Sequence, residues 1–233
     1  GDIPSLILHE AREQLCYPLW ILWKESLDRG YIPEELKRQQ IAPIFKKGNK
    51  SLPENYRPVA LTSHVTKTFE RVVRQQLANY VEQAGIINEE QHGFRSGRSC
   101  LTQLLHHYDA ILEDLNNGHE VDVAYIDFAK AFDKVDIRVL LGKLQRYGIR
   151  GKLLNWIKAF LTGRSQTVVL DGHCSRPEYV ISSVIQGSVL GPLLFIIYVS
   201  DLASCTLGGT LTFADDTKSR QCTQSHFKKI LTG

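Results

Sequence analysis

Three aspartates stand at the ends of apolar segments, and their type and spacing could support chemistry. Asp127 directly follows the apolar segment 121–126, and Asp215 and Asp216 follow the segment 211–214. A carboxylate that emerges from a buried strand is costly unless a cation or a basic group compensates its charge. If the two segments are neighbouring strands, the three carboxylates meet at one sheet edge, and such oxygen-only ligands suit Mg²⁺. Two such ions can clamp the attacking and leaving oxygens of a phosphoryl transfer.

The alternative interpretation of these carboxylates is ordinary turn chemistry. Asp side chains commonly stabilise turns by bonding to nearby backbone groups, so an adjacent pair alone is weak evidence for catalysis. The wide separation of Asp127 from Asp215 along the chain is likewise only suggestive. Ser188 lacks the His and Asp companions of a recognisable hydrolase motif, so the sequence does not support a serine nucleophile. The surrounding sequence must therefore decide between the interpretations.

Composition excludes several other classes of protein. The 233 residues are 43% hydrophobic and 23% charged, which is typical of a globular domain. Five cysteines at wide spacing, without a C-x-x-C pair, argue against a disulfide framework or a zinc site and fit a reducing compartment. No secretory signal is recognisable, and the most apolar run, 189–199, is shorter than the roughly 20 residues of a membrane span. We therefore predict an intracellular protein, in the nucleus or cytoplasm, without a membrane segment. A first residue other than Met predicts a fragment or a processed product.

The apolar spacing predicts a mixed fold in which strands and helices do not alternate regularly, which favours the α+β class. Two short helices are expected within residues 5–28, with the break at Tyr17-Pro18. The remaining helices are predicted over 64–84, from Ser99 to about 117, and over 136–147, 151–162 and 192–204. Strands are predicted over 121–126, over 166–170 and 178–182 as a pair around a turn at Asp171-Gly172, and over 210–218 on both sides of Asp215-Asp216.

Five motifs resemble those of the reverse transcriptases of non-LTR (LINE-type) retrotransposons, and they occur in that family's order. The finger motif ends in Tyr-Arg-Pro, the template-side motif reads Gln-His-Gly-Phe-Arg, and a Gln-Gly motif lies between the two catalytic motifs. The matching segments are 41–62, 91–99, 125–135, 186–195 and 213–217. The resemblance covers roughly residues 38 to 220.

The resemblance implies the fingers and palm of a right-hand polymerase, with an antiparallel palm sheet backed by helices. Residues 1–37 would form a helical N-terminal extension, about 38–120 the fingers and about 121–233 the palm. The strands that carry Asp127 and Asp215-Asp216 would be adjacent. The segment 219–224 is more polar than in relatives, and the chain ends without the thumb that they usually have.

The resemblance also implies roles for the carboxylates. Asp127, Asp215 and Asp216 would be catalytic and would hold two Mg²⁺ ions, with Mn²⁺ as a possible substitute. The backbone carbonyl of Phe128 would complete the shell of one ion.

The nucleotide would be bound by residues of three other motifs. Arg57 would grip the triphosphate through its fork of donors, with Lys46 or Lys47 as a second positive contact that the sequence does not choose between. Gln186 and Gly187 would lie near the nascent base pair. Phe132 would act as a steric gate against a ribose 2′-OH; its alternative is packing with Phe128 on one helix face.

The template strand would be contacted by Gly93, Phe94, Arg95 and Arg98, although Phe94 could equally belong to the core. The charge distribution agrees with nucleic-acid binding. Residues 37–98 hold 11 Lys and Arg against 5 Asp and Glu, whereas the net charge of the whole chain is only +3.

The predicted function is therefore RNA-directed DNA polymerisation, by two-metal transfer of a nucleotide from a dNTP to a primer 3′-OH. Its partners would be an RNA template, a DNA primer and dNTPs, and the sequence leaves the oligomeric state open. Two alternatives remain. One is a truncated, inactive retrotransposon relic that at most binds nucleic acid; the other is a different two-metal palm enzyme such as a nucleotide cyclase.

Overall fold

A computed structural model describes residues 4–202 and 209–224. The elements follow in this order along the chain: α1 (Ser5–Glu10), α2 (Arg12–Arg29), α3 (Glu34–Lys37), β1 (Arg38–Phe45), a 3₁₀ turn (Pro53–Asn55), β2 (Tyr56–Leu61), α4 (His64–Gln83), α5 (Cys100–Asn116), β3 (His119–Ile126), α6 (Ile137–Arg146), α7 (Gly151–Leu161), β4 (Arg164–Leu170), β5 (His173–Cys174), β6 (Glu178–Val180), α8 (Gly191–Tyr198), β7 (Gly209–Phe213) and β8 (Asp216–Gln224). This mixture of helices and two sheets confirms the predicted α+β class.

The chain folds into two compact units. The first comprises Gly1–Tyr80 with Phe132–Leu194, and the second comprises Val81–Ala131 with Phe195–Gly233. Each unit combines segments that are distant in sequence, so the packing does not follow chain order. The predicted limits of fingers and palm near residue 120 stay a prediction.

The first unit contains a five-stranded sheet in which β1 pairs with β2 antiparallel and with β4 parallel. Strands β5 and β6 both add antiparallel to β4, which confirms the strand pair predicted around the turn at Asp171-Gly172. Both turn residues have positive φ, as short hairpins require.

Stacked aromatic rings form part of the core of this unit. The rings of Trp23 and Phe69 lie parallel with centroids 4.7 Å apart, and Phe69 meets Trp156 edge to face at 5.0 Å. Trp156 also stacks on Phe160 at 5.4 Å and donates its ring N–H to the Ser26 hydroxyl at 3.0 Å. The cluster joins α2, α4 and α7, and the buried Trp156 N–H has the hydrogen-bond acceptor that a buried Trp usually finds.

A buried carboxylate in the first unit secures the start of α8. Glu70 on α4 is fully buried, and its Oε2 accepts the backbone N–H groups of Val189 at 2.7 Å and Leu190 at 3.0 Å. The pKa of Glu70 is raised, because the effect of burial outweighs the opposite effects of these two hydrogen bonds and of the charge of Arg164. The equally buried Arg164 donates to the Phe160 carbonyl at 3.2 Å, and burial lowers its pKa to about 10.

In the second unit, helix α5 packs on an antiparallel sheet of order β3-β8-β7. Ser99 caps this helix as predicted: its hydroxyl accepts the Thr102 N–H at 3.1 Å, and the Thr102 hydroxyl accepts the Ser99 N–H at 2.8 Å. Two cations of β8 bind back to α5. Lys218 donates to Gln103 at 3.2 Å, and Arg220 donates to the Ala110 carbonyl at 2.6 Å and pairs with Asp114.

Three local expectations differ from the structure. The break between the first two helices lies at Ala11 rather than at Tyr17-Pro18, and Pro18 lies inside α2. A proline removes only one helical hydrogen bond, and the half-exposed surface of α2 lets water satisfy the carbonyl that is left. Helix α8 ends at Tyr198, short of the predicted limit at 204, which lies outside the described residues. The polar segment 219–224 continues as β8 because it pairs with β3 along its length.

Among the described residues, no helix is both long and apolar enough to cross a membrane.

Replacing Glu70 by Ala is expected to lower the free energy of unfolding by about 3–5 kcal/mol. The substitution leaves two buried N–H groups without their acceptor and removes the carboxyl group whose charge acts on the buried Arg164 guanidinium. Glu70→Gln keeps an acceptor oxygen and should lose clearly less. Urea denaturation measures both variants, and Glu54→Ala, in the exposed 3₁₀ turn, is the control, with an expected change within about 0.5 kcal/mol. Equal losses for Glu70→Ala and Glu54→Ala would contradict the assignment.

The same carboxyl predicts a pH dependence of stability. Because the pKa of Glu70 is raised in the folded state, the folded chain binds this proton more tightly than the unfolded chain. The stability that it contributes is present below the unfolded pKa and is lost as pH rises through the folded pKa. The difference in unfolding free energy between wild type and Glu70→Gln should therefore fall from about pH 4 upward and then become constant. A difference that rises with pH contradicts the direction.

Candidate active site

The three aspartates lie at one edge of the β3-β8-β7 sheet. Strand β3 pairs with β8 up to Ile126 opposite Thr217, so the next positions along the two chains are Asp127 and Asp216. Strands β7 and β8 form a hairpin in which Phe213 pairs with Asp216, and Asp215 lies in the two-residue turn. The expectation that the strands bearing these aspartates are adjacent is confirmed.

The end of β3 is more exposed than the sequence suggests. Tyr125 is 68% exposed, and Asp127 and Asp216 are exposed as well, whereas Asp215 is half-buried. The premise that Asp127 emerges from a buried strand is therefore wrong, and desolvation does not by itself require a cation at this position. An apolar alternation in sequence does not reveal whether a neighbouring layer covers a strand.

The nearest basic residues of β8 do not neutralise the aspartates, because Lys218 and Arg220 are bonded to α5. Within the described residues, no group of three His, Cys, Asp or Glu side chains is gathered closely enough to hold an ion as it stands. The donor set nevertheless fits a hard divalent cation, because its members are carboxylate oxygens at a shared sheet edge.

The turn that carries Asp215 has an unusual backbone. Ala214 adopts φ +57°, in the left-handed region that side chains with a Cβ disfavour. The side chain of Gln91 holds this turn: its Oε1 accepts the Ala214 N–H at 2.9 Å, and its Nε2 donates to the Ala214 carbonyl at 3.4 Å. Sequence reasoning assigned no role to Gln91, although it opens the template-side motif.

Gly93 lies against the same turn. A Cβ on Gly93 would come within 2.3 Å of the Ala214 nitrogen, so only glycine fits there. The structure thus explains this glycine by its contact with the hairpin, while its predicted contact with the template stays a prediction.

Arg95 and Arg98 are engaged within the second unit. The Arg95 side chain is only 6% exposed and binds both carboxylate oxygens of Glu82, at 2.9 and 2.6 Å. It also donates to the Asn88 carbonyl at 2.7 Å, and Glu82 raises its pKa further. Arg98 pairs with Glu89. In contrast to the expectation of a template phosphate contact, Arg95 supports its own loop in this structure.

Phe94 differs from these arginines because its ring is 43% exposed, at a backbone φ of +59°. The alternative that Phe94 belongs to the core is therefore not supported. An exposed aromatic ring beside the catalytic hairpin retains the ability to stack on a base.

The residues predicted to bind the nucleotide lie in the first unit. Arg57 is exposed on β2 opposite Ile44 of β1, and Lys46 and Lys47 are exposed in the connection between these strands. The Lys46 N–H closes this connection by donating to the Asn55 carbonyl at 2.9 Å. None of the three cationic side chains forms an ion pair with a described residue.

Gln186 and Gly187 are fixed by their surroundings in the same unit. Gln186 donates its side-chain N–H to Asp133 at 3.2 Å and accepts the Ala60 N–H on its backbone carbonyl at 2.7 Å. Gly187 has φ +104°, and a Cβ there would lie 2.4 Å from the Ala60 carbonyl oxygen. The backbone of Gly187 therefore lies close against β2, and its position near the nascent base pair stays a prediction.

A cavity of about 270 Å³ adjoins Gln186. Both polar and apolar side chains of the first unit line it, including Gln39, Pro58, Asp133, Gln166 and Ser182. Phe132 precedes Asp133 in a run of turns over 129–134, so the alternative that Phe128 and Phe132 share a helix face lacks its helix. The Phe132 carbonyl accepts the Val184 N–H at 3.0 Å.

Known proteins resemble this chain in sequence and in fold. A family model described as reverse transcriptase (RNA-dependent DNA polymerase) matches residues 44–232. The probable RNA-directed DNA polymerase from transposon X-element of Drosophila melanogaster is 32% identical over 211 residues, which cover 88% of this chain and 23% of that protein. The RNA-directed DNA polymerase from mobile element jockey of the same organism is 31% identical over 214 residues, with the same coverages. The chain thus spans about a quarter of the length of these relatives.

Solved structures show the same fold. Telomerase from Candida albicans, in complex with a fragment of telomeric RNA, matches 93% of this chain and 42% of its own with a TM-score of 0.61 and 12% identity. Apo telomerase from Candida tropicalis matches 93% of this chain and 45% of its own with a TM-score of 0.59 and 12% identity. Identity at this level bears on the fold alone. The family match over residues 44–232 establishes that the chain belongs to the reverse transcriptase family, in agreement with its non-LTR retrotransposon motifs.

Proposed function

We propose that this chain provides the polymerase chemistry of a non-LTR retrotransposon enzyme that copies RNA into DNA. The observation that carries the proposal is the convergence of Asp127, Asp215 and Asp216 at one sheet edge, through the pairing of β3 with β8 and the β7-β8 hairpin. Oxygen-only donors at one edge are suited to phosphoryl transfer, whereas no residue set of a hydrolase accompanies them.

The reaction is transfer of a nucleotide to a primer. The primer 3′-oxygen attacks the α-phosphorus of a dNTP, a new P–O bond forms, the bond to the β-phosphate breaks, and pyrophosphate leaves. The proton of the 3′-hydroxyl passes to solvent. The three aspartates and the Phe128 carbonyl would hold two divalent ions, Mg²⁺ or Mn²⁺, and these would lower the pKa of that hydroxyl and neutralise charge on the phosphates.

The first unit supplies the groups that select the nucleotide. Arg57 and either Lys46 or Lys47 are exposed cations that form no ion pair with the residues the structure describes, so they are available to the triphosphate. Gln186 is held by Asp133 beside the cavity, in a position to support the base of the incoming nucleotide. Phe132, next to Asp133, acts as the steric gate that excludes a ribose 2′-OH.

The RNA template is contacted by the exposed ring of Phe94 and by backbone near Gly93. Stacking on an aromatic ring tolerates every base, which suits a protein that must copy any sequence. The arginines of the same loop contribute chiefly by supporting its shape, since both are paired with glutamates.

Asp215→Asn is expected to abolish primer extension on an RNA template with Mg²⁺ and dNTPs, by about 10³-fold or more, because it removes a charge that neutralises the ions. Binding of a primer-template duplex, measured by fluorescence anisotropy, should stay close to wild type. Asp122→Asn is the matched control, since Asp122 is exposed on β3 away from the site edge and pairs with Gln221.

The same experiment separates the rival function. If wild type and Asp215→Asn are equally inactive but both bind the duplex, the chain is a nucleic-acid binder without polymerase activity. If extension is retained in Asp215→Asn, the carboxylate assignment fails.

Phe132→Ala is expected to reduce the preference for dNTPs over rNTPs by about 10–100-fold, since the space that excludes the 2′-OH is opened. The ratio of kcat/KM for the two nucleotide classes measures the effect. Phe132→Tyr keeps the ring and should keep the preference. An unchanged ratio in Phe132→Ala assigns the ring to packing instead.

A further inference from the structure

We propose that Gln91 is a positioning residue that sets the backbone of the turn carrying Asp215. Its amide bonds both the N–H and the carbonyl of Ala214, the residue directly before Asp215, although 123 positions separate the two in the chain. The catalytic consequence of this contact depends on the proposed function; the contact itself does not.

The chemistry of the contact requires an acceptor oxygen at this point. Gln91 Oε1 accepts two backbone N–H groups, from Gly93 at 2.7 Å and from Ala214 at 2.9 Å, and the residue is 4% exposed. Water cannot replace a buried acceptor cheaply, and an apolar side chain would leave both donors unsatisfied. A buried glutamine is thus selected by two donors that converge on it from different segments.

The backbone on either side of Gln91 reinforces the hold. Thr212 of β7 donates to the Glu90 carbonyl at 2.9 Å, and the Thr212 carbonyl accepts the His92 N–H at 2.8 Å. Residues 90–92 therefore run parallel to β7 at the level of Gln91 and Thr212, and they form a short additional pairing at the catalytic hairpin. The side chain of Gln91 extends this pairing by two residues, into the turn.

The turn needs such support because of its conformation. Ala214 lies at φ +57°, where a Cβ is sterically disfavoured, and a two-residue turn without glycine does not favour this state by itself. The two hydrogen bonds from the Gln91 side chain, to the N–H and to the carbonyl of Ala214, stabilise this conformation. They thereby determine the direction in which the chain presents Asp215.

The backbone of Gln91 is itself bonded by a second side chain, that of Arg95. Arg95 donates to the Gln91 carbonyl at 3.2 Å while it is bound to Glu82, so a buried guanidinium secures the backbone of the positioning residue. The positive charge of Arg95 is therefore used to stabilise the loop that reaches Ala214.

The test compares Gln91→Met with Gln103→Met in the full chain. Both glutamines are buried in the second unit, but Gln103 bonds Lys218 on β8 and does not touch the turn. Three quantities are measured: hydrogen exchange of the Ala214 amide by NMR, Mn²⁺ affinity by EPR, and kcat and KM for dNTP in primer extension.

In Gln91→Met we expect Ala214 exchange to be about tenfold faster than in wild type. Mn²⁺ affinity should be about 10–100-fold weaker, as for other residues that orient a ligand. The value of kcat should fall by about 10–100-fold with little change in KM, because the nucleotide contacts lie elsewhere. Gln103→Met should leave Ala214 exchange and Mn²⁺ affinity close to wild type. Gln91→Glu, which keeps an acceptor oxygen, should recover most of the exchange protection.

The proposal is overturned if Ala214 exchange in Gln91→Met equals that of wild type. It is overturned as well if Ala214 exchange in Gln91→Glu is as fast as in Gln91→Met. It is also overturned if Gln103→Met gives the same losses, since the effect is then general destabilisation. If wild type neither extends primers nor binds Mn²⁺ through Asp215, the proposed function fails, and Ala214 exchange alone still decides the role of Gln91.

Discussion

The pairing register of β3 with β8 is the constraint on which the candidate site depends. A shift of one residue would move Asp127 away from Asp216 and would turn every side chain of β8 to the other face. Bonds to α5 oppose such a shift, because Arg220 of β8 pairs with Asp114 on that helix and donates to its Ala110 carbonyl. The Nε2 atom of His107 on α5 also lies 3.4 Å from the Tyr125 hydroxyl on β3. Burial and the charges of Lys218 and Arg220 lower the pKa of His107. Helix α5 thus ties both strands of the pair.

Sequence patterns predicted those features that depend on neighbours along the chain. The cap of α5 at Ser99, the helices predicted over 136–147 and 151–162, and the strands before the aspartates all follow from local rules, and the structure has them. The order of five motifs added the family and thereby the adjacency of β3 and β8. Local rules failed where another segment decides the outcome, as in the polar β8, which becomes a strand through its pairing with β3.

The roles of Gln91, Arg95 and Glu70 were out of reach for the same reason. Each side chain satisfies backbone or carboxylate groups that lie far away in sequence, and nothing in its own surroundings names the partner. Glu70 shows this most clearly: one carboxylate inside α4 accepts two N–H groups near the start of α8, which follows the Gln-Gly motif. Only the packed fold reveals that the buried carboxyl group of Glu70 stabilises the backbone that follows this motif.

The same reasoning sorts the basic residues that made the segment 37–98 resemble a nucleic-acid surface. Arg95 and Arg98 form ion pairs with glutamates, and the negative charge of each partner weakens the attraction of the pair for a phosphate. Lys46, Lys47 and Arg57 are exposed on the β1-β2 connection and its strands and have no such partners among the described residues. These three cations are therefore available to a phosphate where the triphosphate is proposed to bind, while the template contact is proposed for the exposed ring of Phe94. A net count of charges cannot make this distinction, because it assigns equal weight to a buried structural guanidinium and to a solvated lysine.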